Sequence, residues 1–360
     1  MRIVFMGTPD FAVPCLEALV EGGYDVVAVV TQPDKPAGRS QSVLKPPAVK
    51  EAAIRLGISN ILQPKKVRTP EFAETLGELE PDVIITAAYG RILPKSVLDI
   101  PKYGCINVHA SLLPKYRGAA PIQWAIINGD SRTGITTFFM DEGMDTGDIL
   151  LMKETEIEPD MNAQELFDRL KVLGAEVLLE TLEGLRNRTL IRMPQDHSRA
   201  TYVTMMTRET GLIDWNKSAQ EIHNLVRGTD PWPGAYTYYK GKRLKVWKTA
   251  VCSGSDGIVP GSGCRDSGET VRGTVCRDPE MNIPGPAAGE AGLVSPAGET
   301  RPVSSAGEAR PGTILKCRKD GLIVATGSGL LAITELQFEN ARRMKVVECG
   351  HNMDVGEVFG

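Results

Sequence analysis

An amide and an imidazole lie two residues apart at the end of an apolar run in the first half of the chain. The run spans 104–109 and contains Asn107 and His109. Because side chains alternate along a strand, a strand here would project both residues from one face. A neutral imidazole can accept the proton of an attacking amine, and an amide N–H can stabilise the oxyanion of a tetrahedral intermediate. The pair therefore predicts acyl transfer to nitrogen, with Asn107 and His109 as the catalytic groups.

A carboxylate that could orient the imidazole is found in the glycine-rich segment 140–148. Asp145 lies there between Gly143 and Gly147, which allow the backbone to fold inward. We therefore expect Asp145 to complete the site with the amide and the imidazole. The other histidines have no comparable neighbours, and no cluster has the spacing of metal ligands, so no metal site is expected.

The surrounding sequence alternates short apolar runs with helical patterns, which predict the elements that position these residues. The predicted strands are 2–6, 25–31, 82–87, 104–109 and 133–140. The predicted helices include 46–56, 70–79 and 119–128. Such alternation indicates an α/β fold with a doubly wound, mostly parallel sheet. Ligands bind beyond the carboxyl ends of the strands in these sheets, so we expect the site there. The residues at those ends are Met6, Ala87, Val108 and Met140.

The turn after the first predicted strand argues against two common classes of nucleotide-dependent enzyme. Residues 7–11 contain Gly7 but lack the second and third glycines of GxGxxG, so a nicotinamide cofactor is not expected. No GxxxxGK followed by Ser or Thr occurs in the chain. Phosphoryl transfer from ATP therefore has no recognisable phosphate-binding loop.

The second half of the chain predicts a β domain that follows a helix and a polar linker. Apolar residues recur at helical spacing over 164–185, and the pattern becomes polar and irregular over 194–208. A helix at 218–226 and a basic strand follow. Further short strands are predicted at 313–317, 322–325 and 330–335. These elements predict a small β-barrel or β-sandwich.

Residues 252–311 interrupt this β domain with a different composition. The segment is rich in glycine and proline, has no aromatic residue and repeats Ala-Gly-Glu, which is typical of a low-complexity insertion. The predicted organisation is a catalytic domain at 1–189, a linker at 190–207 and a β-barrel domain at 208–360 that carries the insertion.

The overall composition fits two domains of ordinary globular character. The 360 residues exceed the length at which a single core stops growing, and 42% are hydrophobic and 24% charged. No apolar run approaches the roughly 20 residues that span a bilayer. The seven cysteines are odd in number, sparse and nowhere spaced as CxxC, so neither a disulfide framework nor a zinc ribbon is indicated. We therefore expect a cytoplasmic protein with no membrane partner.

The net charge is −4, but basic residues concentrate on one predicted strand that contains Lys242, Arg243 and Lys245. Their alternation with apolar residues predicts a strand with one positive face. Such a face can bind phosphate groups. A solvated edge strand, protected from aggregation by its lysines, has the same pattern, so both interpretations stay open.

Three strings around the candidate site resemble the methionyl-tRNA formyltransferase family of folate-dependent enzymes. They are NVHASLLP at 107–114, YRGAAPIQW at 116–124 and GMDTGDIL at 143–150. Similar segments are found at 5–14, 32–39 and 227–235. The resemblance covers nearly the whole chain except 252–311. The Asn/His/Asp set alone is similar to folate-dependent formyltransferases generally, so it indicates the chemistry and leaves the acceptor open.

The resemblance implies a catalytic trio of Asn107, His109 and Asp145 and a formyl donor, 10-formyltetrahydrofolate. The residues implied to line the folate site are Ser111, Leu112, Leu113 and Pro114. The formyl group would pass to the α-amino group of methionine esterified to initiator tRNA, for translation initiation.

The resemblance also implies that the loop after the second strand reaches the tRNA acceptor end. It further implies that the second domain is an open β-barrel of OB type, which binds the tRNA body through basic residues. The candidates are Arg39 in the loop and Lys242, Arg243 and Lys245 in the barrel. Family members often carry further lysines after the loop glycine, whereas this chain has Arg39 as its main cation there. The expected partners are methionylated initiator tRNA and the folate co-substrate, and the protein is expected to be a monomer.

Three other functions compete with this interpretation. A formyltransferase that acts on a sugar nucleotide resembles this chain in domain layout, although segments 143–148 and 227–235 favour tRNA. A non-catalytic RNA-binding protein is disfavoured by the intact Asn/His/Asp set, and detectable formyl transfer would exclude it. A dehydrogenase is a third alternative, which the missing glycine fingerprint opposes.

Overall fold

The computed structural model describes residues 1–37, 43–253, 257–258, 309–317, 321–350 and 353–360. Arg39 and most of the predicted insertion at 252–311 lie outside the described residues. Of the helices within them, none is both long enough and apolar enough to cross a bilayer.

Strands and helices alternate through the first half of the chain, close to the predicted bounds. In order they are β1 (Arg2–Gly7), α1 (Val13–Glu21), β2 (Asp25–Val30), β3 (Lys35–Ala37), β4 (Val43–Lys45), α2 (Ala48–Arg55), β5 (Ile61–Leu62), α3 (Pro70–Gly77), β6 (Val83–Ala87), α4 (Lys95–Leu98), β7 (Cys105–His109), β8 (Arg117–Gly118), α5 (Pro121–Ile127), β9 (Arg132–Phe139), β10 (Ile149–Glu156) and α6 (Ala163–Asn187). Asn162 and Glu165 form a capping box that fixes the start of α6.

The second half is mainly β. Its elements are β11 (Tyr202–Val203), α7 (Ala219–Thr229), β12 (Ala235–Tyr239), β13 (Lys242–Ser253), β14 (Gly257–Ile258), β15 (Ile314–Cys317), β16 (Leu322–Ala325), β17 (Leu330–Phe338), β18 (Met344–Lys345) and α8 (Val346–Cys349). Ser218 and Glu221 form a second capping box at the start of α7.

The first half folds around one twisted sheet whose strand order, within the described residues, is β10-β9-β7-β6-β1-β2-β5. The neighbours from β7 to β5 run parallel. The faces alternate as the sequence requires, since Ile106 and Val108 join the core formed with α1 and α6, whereas Cys105 joins the cluster with α3 and α4. Asn107 and His109 therefore share the α3/α4 face, and the predicted fold class is confirmed.

The direction of β9 corrects one expectation. Strand β9 runs antiparallel to β7, so that Phe139 lies opposite Ile106 and Thr136 lies opposite His109. Met140 therefore follows a strand that ends at the opposite edge of the sheet from the carboxyl end of β7. The loop after Met140 must return along the sheet to bring Asp145 to the imidazole.

The second half contains an antiparallel sheet with the order β12-β13-β17-β16-β15 in the described part of the chain. The final residues connect its two edges. Gly360 exchanges two 3.0 Å backbone hydrogen bonds with Tyr238 of β12, and the Phe359 N–H donates to Gly312 O, just before β15. Pairing both outer strands with the chain end gives the sheet the curvature of an open barrel and satisfies backbone groups at its edges.

Two buried polar side chains of α7 form hydrogen bonds to the first half of the chain. The Arg227 guanidinium donates to the Met161 carbonyl at 3.1 Å and to the Asn224 side chain at 2.9 Å. His223 contacts the Pro159 carbonyl through Nε2 at 3.2 Å and the Thr249 hydroxyl through Nδ1 at 3.0 Å. Hydrogen bonds to backbone carbonyls just before α6 therefore join α7 to the first half.

We expect His223 to make the protein less stable in mild acid. Burial lowers the pKa of His223 below its usual 6.5. Folding then favours the neutral ring, so below about pH 6.5 the unfolded chain binds an extra proton and the free energy of unfolding falls, by at most about 1.4 kcal/mol per pH unit. Urea unfolding of the wild type and of His223→Gln between pH 8 and pH 5 measures the difference. Parallel pH dependences in the two proteins would contradict the expectation.

Candidate active site on strand β7

The Asn107 amide is oriented by the neighbouring strand. The Thr86 hydroxyl, on β6, donates to Asn107 Oδ1 at 2.6 Å. Because that bond uses the amide oxygen, the Nδ2 donors of Asn107 are directed away from β6. The half-buried amide therefore presents N–H groups on the face it shares with His109.

The His109 imidazole is held by a backbone carbonyl. Its Nε2 lies 2.9 Å from Tyr116 O, and the side chain is buried. A carbonyl oxygen only accepts hydrogen bonds, so Nε2 carries the proton in the neutral ring. Nδ1 is then the basic nitrogen and is free to accept a proton.

Asp145 lies on the side of this basic nitrogen. Its Oδ2 is 3.9 Å from His109 Nδ1 and accepts a 2.7 Å hydrogen bond from the Gly118 amide. An unprotonated Nδ1 and a carboxylate are both acceptors, so they do not bond until Nδ1 takes up a proton. The structure thus assigns orientation of the ring to the Tyr116 carbonyl, and Asp145 faces the atom on which positive charge would develop.

The loop that carries Asp145 depends on its glycines. A Cβ at Gly147 would lie 1.7 Å from Phe139 O, and one at Gly143 would lie 2.0 Å from the Thr146 hydroxyl. Asp145 itself has φ +56°, a left-handed conformation that Asp tolerates better than most residues. The glycine-rich sequence is therefore required for the close return of this loop along β9.

The segment predicted as a linker, 190–207, packs along the site. Tyr202 and Val203 of β11 pair in parallel with Arg117 and Gly118 of β8. The Tyr116 amide donates to the Thr201 hydroxyl at 2.8 Å. Its polar, irregular sequence gave no indication of this role, because isolated pairing partners carry no periodicity.

The structure adds four side chains or backbone groups that the sequence analysis did not single out as part of the site. They are Thr86, the Tyr116 carbonyl, Arg117 and Gln195. Thr86 could have been found from strand pairing, since it lies next to Asn107 on the neighbouring strand β6. Tyr116 and Arg117 lie within a string quoted for the family resemblance, whereas nothing in the sequence marks Gln195.

The turn implied to line the folate site is largely interior. Ser111 and Leu113 are buried, and Ser111 Oγ donates to Lys115 O at 2.7 Å. Leu112 and Pro114 are half-buried. A ligand can therefore reach this turn through Leu112 and Pro114, while the other two side chains support it from below.

A groove of about 900 Å³ adjoins the site through Met140. Met140 lines the groove together with Leu98, Phe139 and Asp141, and its Sδ lies 3.2 Å from the Thr86 hydroxyl that bonds Asn107. Neither His109 nor Asp145 lines it. The mixed apolar and polar lining suits a flat heteroaromatic ring.

The basic residues of β13 do not share one face, contrary to the prediction. Arg243 Cζ lies 3.9 Å from the centre of the Tyr236 ring, and Lys245 Nζ lies 4.9 Å from the centre of the Trp247 ring. Both cations are on the face of β13 opposite the core residue Leu244. Lys242 falls on the other face by alternation, where it pairs with Tyr239 at the start of the hairpin. Lys242 and Arg243 are consecutive residues of one strand, so their side chains lie on opposite faces.

Within the described part of the chain, no group of three or more His, Cys, Asp or Glu side chains could hold a metal ion. The expected absence of a metal remains a prediction.

Family models match both halves of the chain. The formyl transferase model matches residues 1–182, and the model of the formyl transferase C-terminal domain matches 205–283 and 297–352. The chain is 52% identical over 362 aligned residues to the methionyl-tRNA formyltransferase of Acetivibrio thermocellus, with 100% of each chain covered. It is 48% identical to the enzyme of that name from Ruminiclostridium cellulolyticum, again with 100% of each chain covered.

Solved structures with the same fold are more distant in sequence. A sugar 3N-formyl transferase has a TM-score of 0.59 at 16% identity, with 95% of this chain and 99% of that chain covered. HypX from Aquifex aeolicus has a TM-score of 0.55 at 16% identity, with 97% of this chain and 48% of that chain covered, so this chain spans about half of HypX. At these identities the likeness establishes the fold alone.

Proposed function

This chain belongs to the formyl transferase family, and we propose that it acts as a methionyl-tRNA formyltransferase. It transfers the formyl group of 10-formyltetrahydrofolate to the α-amino group of methionyl-initiator tRNA. Full-length similarity to relatives of that name supports the acceptor. The observation that carries the chemistry is the basic His109 Nδ1, which faces the Asp145 carboxylate at 3.9 Å on the strand that presents Asn107.

The geometry supports a direct transfer without a covalent enzyme intermediate. The amine attacks the formyl carbon, forming the new C–N bond, and its proton passes to His109 Nδ1. The Asn107 amide stabilises the oxyanion, and Asp145 stabilises the imidazolium. Collapse breaks the bond between the formyl carbon and the folate nitrogen, which takes the proton from His109 Nδ1 as it leaves and returns the ring to its neutral form. The charge pair between the imidazolium and Asp145 exists only after proton transfer, so it favours the transition state over the ground state.

Two features of the chain offer contacts for the folate. Leu112 and Pro114 offer apolar contacts, with Ser111 and Leu113 supporting the turn beneath them. The groove next to Met140 offers a second apolar wall and polar groups for a heteroaromatic ring. Met140 lies next to the Thr86 hydroxyl that bonds Asn107, which supports binding of the formyl group near the Asn107 amide.

The tRNA is placed against the β3–β4 hairpin and the outer face of β13. Arg39 belongs to the connection between these hairpin strands and lies outside the described residues. On β13, Arg243 and Lys245 lie over aromatic rings on the face opposite the core, and both remain partly exposed, so phosphate groups can approach them. Lys242 lies at the start of the same hairpin and contributes charge from the other face.

Charge reversal of the outer β13 face should weaken tRNA binding. In the double variant Arg243→Glu and Lys245→Glu, we expect a higher KM for tRNA, because each cation releases counterions when it contacts phosphate. The negative slope of log(kcat/KM) against the logarithm of the salt concentration should become shallower by about two units. Lys240→Gln is the matched control, since Lys240 already pairs with Asp354 at 2.7 Å. An unchanged salt slope in the double variant would reject this surface.

The function itself is tested by following formyl transfer from 10-formyltetrahydrofolate to methionylated initiator tRNA. Transfer supports the proposal and excludes a non-catalytic RNA-binding role. No transfer by folded, folate-binding protein would contradict it. An amino-sugar nucleotide assayed in parallel is then the acceptor to test, because this alternative requires the same chemistry.

A further inference from the structure

Arg117 is a buried cation beside the active site. It is 1% exposed and is the largest fully buried side chain of the described residues. No ion pair of Arg117 is present within that part of the chain. Its hydrogen bonds go to neutral groups, the Gln195 amide oxygen, the Tyr202 hydroxyl and His197 Nδ1. A buried charge without an ion pair is costly, so these hydrogen bonds must offset the cost of burying the guanidinium.

The guanidinium fixes which way the Gln195 amide points. Arg117 only donates, and it bonds Gln195 Oε1 through Nη2 at 2.7 Å and through Nε at 3.2 Å. The amide nitrogen must therefore point the other way. There it donates to Asp145 O at 2.9 Å and to Gly147 O at 2.7 Å. A flipped amide would place a donor against a donor and an acceptor against two acceptors, so a single orientation is satisfied.

Two adjacent residues thus hold Asp145 from both of its ends. The Gly118 amide bonds the Asp145 carboxylate directly, and Arg117 bonds the backbone of the same residue through Gln195. Asp145 needs this support because its left-handed backbone, φ +56°, is costly for a residue with a side chain. Gln195 is buried, which strengthens its hydrogen bonds to the loop.

We infer that Gln195, oriented by the buried Arg117, is a positioning residue for formyl transfer. It fixes the loop so that the Asp145 carboxylate meets His109 Nδ1 as that atom becomes protonated. The inference rests on the proposed function and adds to it a residue from the segment that connects the two halves of the chain.

Gln195→Glu separates this role from simple compensation of the buried charge. The carboxylate pairs with Arg117 and keeps the size of the side chain, but its oxygens cannot donate to the Asp145 and Gly147 carbonyls. We expect kcat to fall about 100-fold with KM for tRNA unchanged, as for a misplaced catalytic group. Tyr202→Phe is the matched control, because it removes another partner of Arg117 and leaves Gln195 in place. It should retain wild-type kcat.

Two further measurements exclude a general structural effect. Gln195→Glu added to Asp145→Asn should lower kcat no further, because the residue acts through Asp145. Hydrogen exchange of the amides in 141–148 should accelerate in Gln195→Glu while other segments stay protected. If the glutamate variant does not fold, Gln195→Met replaces it. The methionine loses the bonds to Arg117 and to the Asp145 and Gly147 carbonyls without adding a charge, and kcat and hydrogen exchange are measured as before.

The outcomes distinguish the inference from the proposed function. Wild-type protein without transfer refutes the function, and the exchange measurement still tests whether Gln195 holds the loop. Active wild-type protein together with a Gln195→Glu variant of near-normal kcat overturns the inference alone. Additive losses in the double variant overturn it as well.

Discussion

Replacement of His109 with alanine is expected to lower kcat for formyl transfer by about 10² to 10⁴-fold. The variant loses the Nδ1 base that accepts the amine proton and the positive charge that Asp145 would stabilise. KM for tRNA should change little, because His109 is buried and its contacts are the Tyr116 carbonyl and Asp145, neither of which is proposed to bind tRNA. Single-turnover transfer with saturating folate measures the chemical step directly.

The matched control is His223→Gln, which removes another buried imidazole, at the interface between the two halves. It should keep near-normal kcat at pH 7.5, where the neutral ring is already favoured. If His109→Ala retained more than a tenth of wild-type kcat, proton transfer to His109 would not be part of the rate-determining chemistry.

Replacement of Asn107 is expected to have the second large effect. Asn107→Ala removes the N–H donor proposed for the oxyanion, which typically costs about 10² to 10³-fold in kcat. Asn107→Asp keeps the shape of the side chain and the acceptor for the Thr86 hydroxyl, yet it offers no donor at neutral pH. It should therefore be impaired at least as strongly as the alanine variant.

Thr86→Val serves as the comparison for Asn107. It removes the 2.6 Å bond that orients the amide and leaves the amide itself, so kcat should fall by no more than about tenfold, the equivalent of one neutral hydrogen bond. Near-normal turnover by both Asn107 variants would reject the assignment. A loss in Thr86→Val as large as in Asn107→Ala would assign the effect to local structure.

The fold could be predicted from the sequence because its signals are local. The alternation of Ile106 and Val108 with Asn107 and His109 places the two polar residues on one face, and the structure has them there. The capping residues Asn162 and Ser218 start their helices close to the predicted positions. Periodicity and capping depend on residues a few positions apart, so they can be recognised in the sequence without knowledge of the tertiary structure.

Strand direction could not be predicted in the same way. The run before Met140 has the composition of a strand, and nothing in it states that β9 lies antiparallel to β7. The face of the basic strand was also misassigned, because the apolar core side of β13 includes Leu244 and leaves Arg243 and Lys245, but not Lys242, on the outer side. Both depend on which surface a strand meets, and that is decided by contacts with distant residues.

The sequence by itself determined the chemistry of this protein, since an amide, an imidazole and a carboxylate of the right types lie in segments that resemble one family. Only the tertiary structure decided how these groups are oriented. The Tyr116 carbonyl sets which ring nitrogen of His109 is basic, and Gln195 holds the loop of Asp145. The reason is physical: hydrogen-bond direction depends on a partner's position in space, and Gln195 lies 50 residues from the loop it supports.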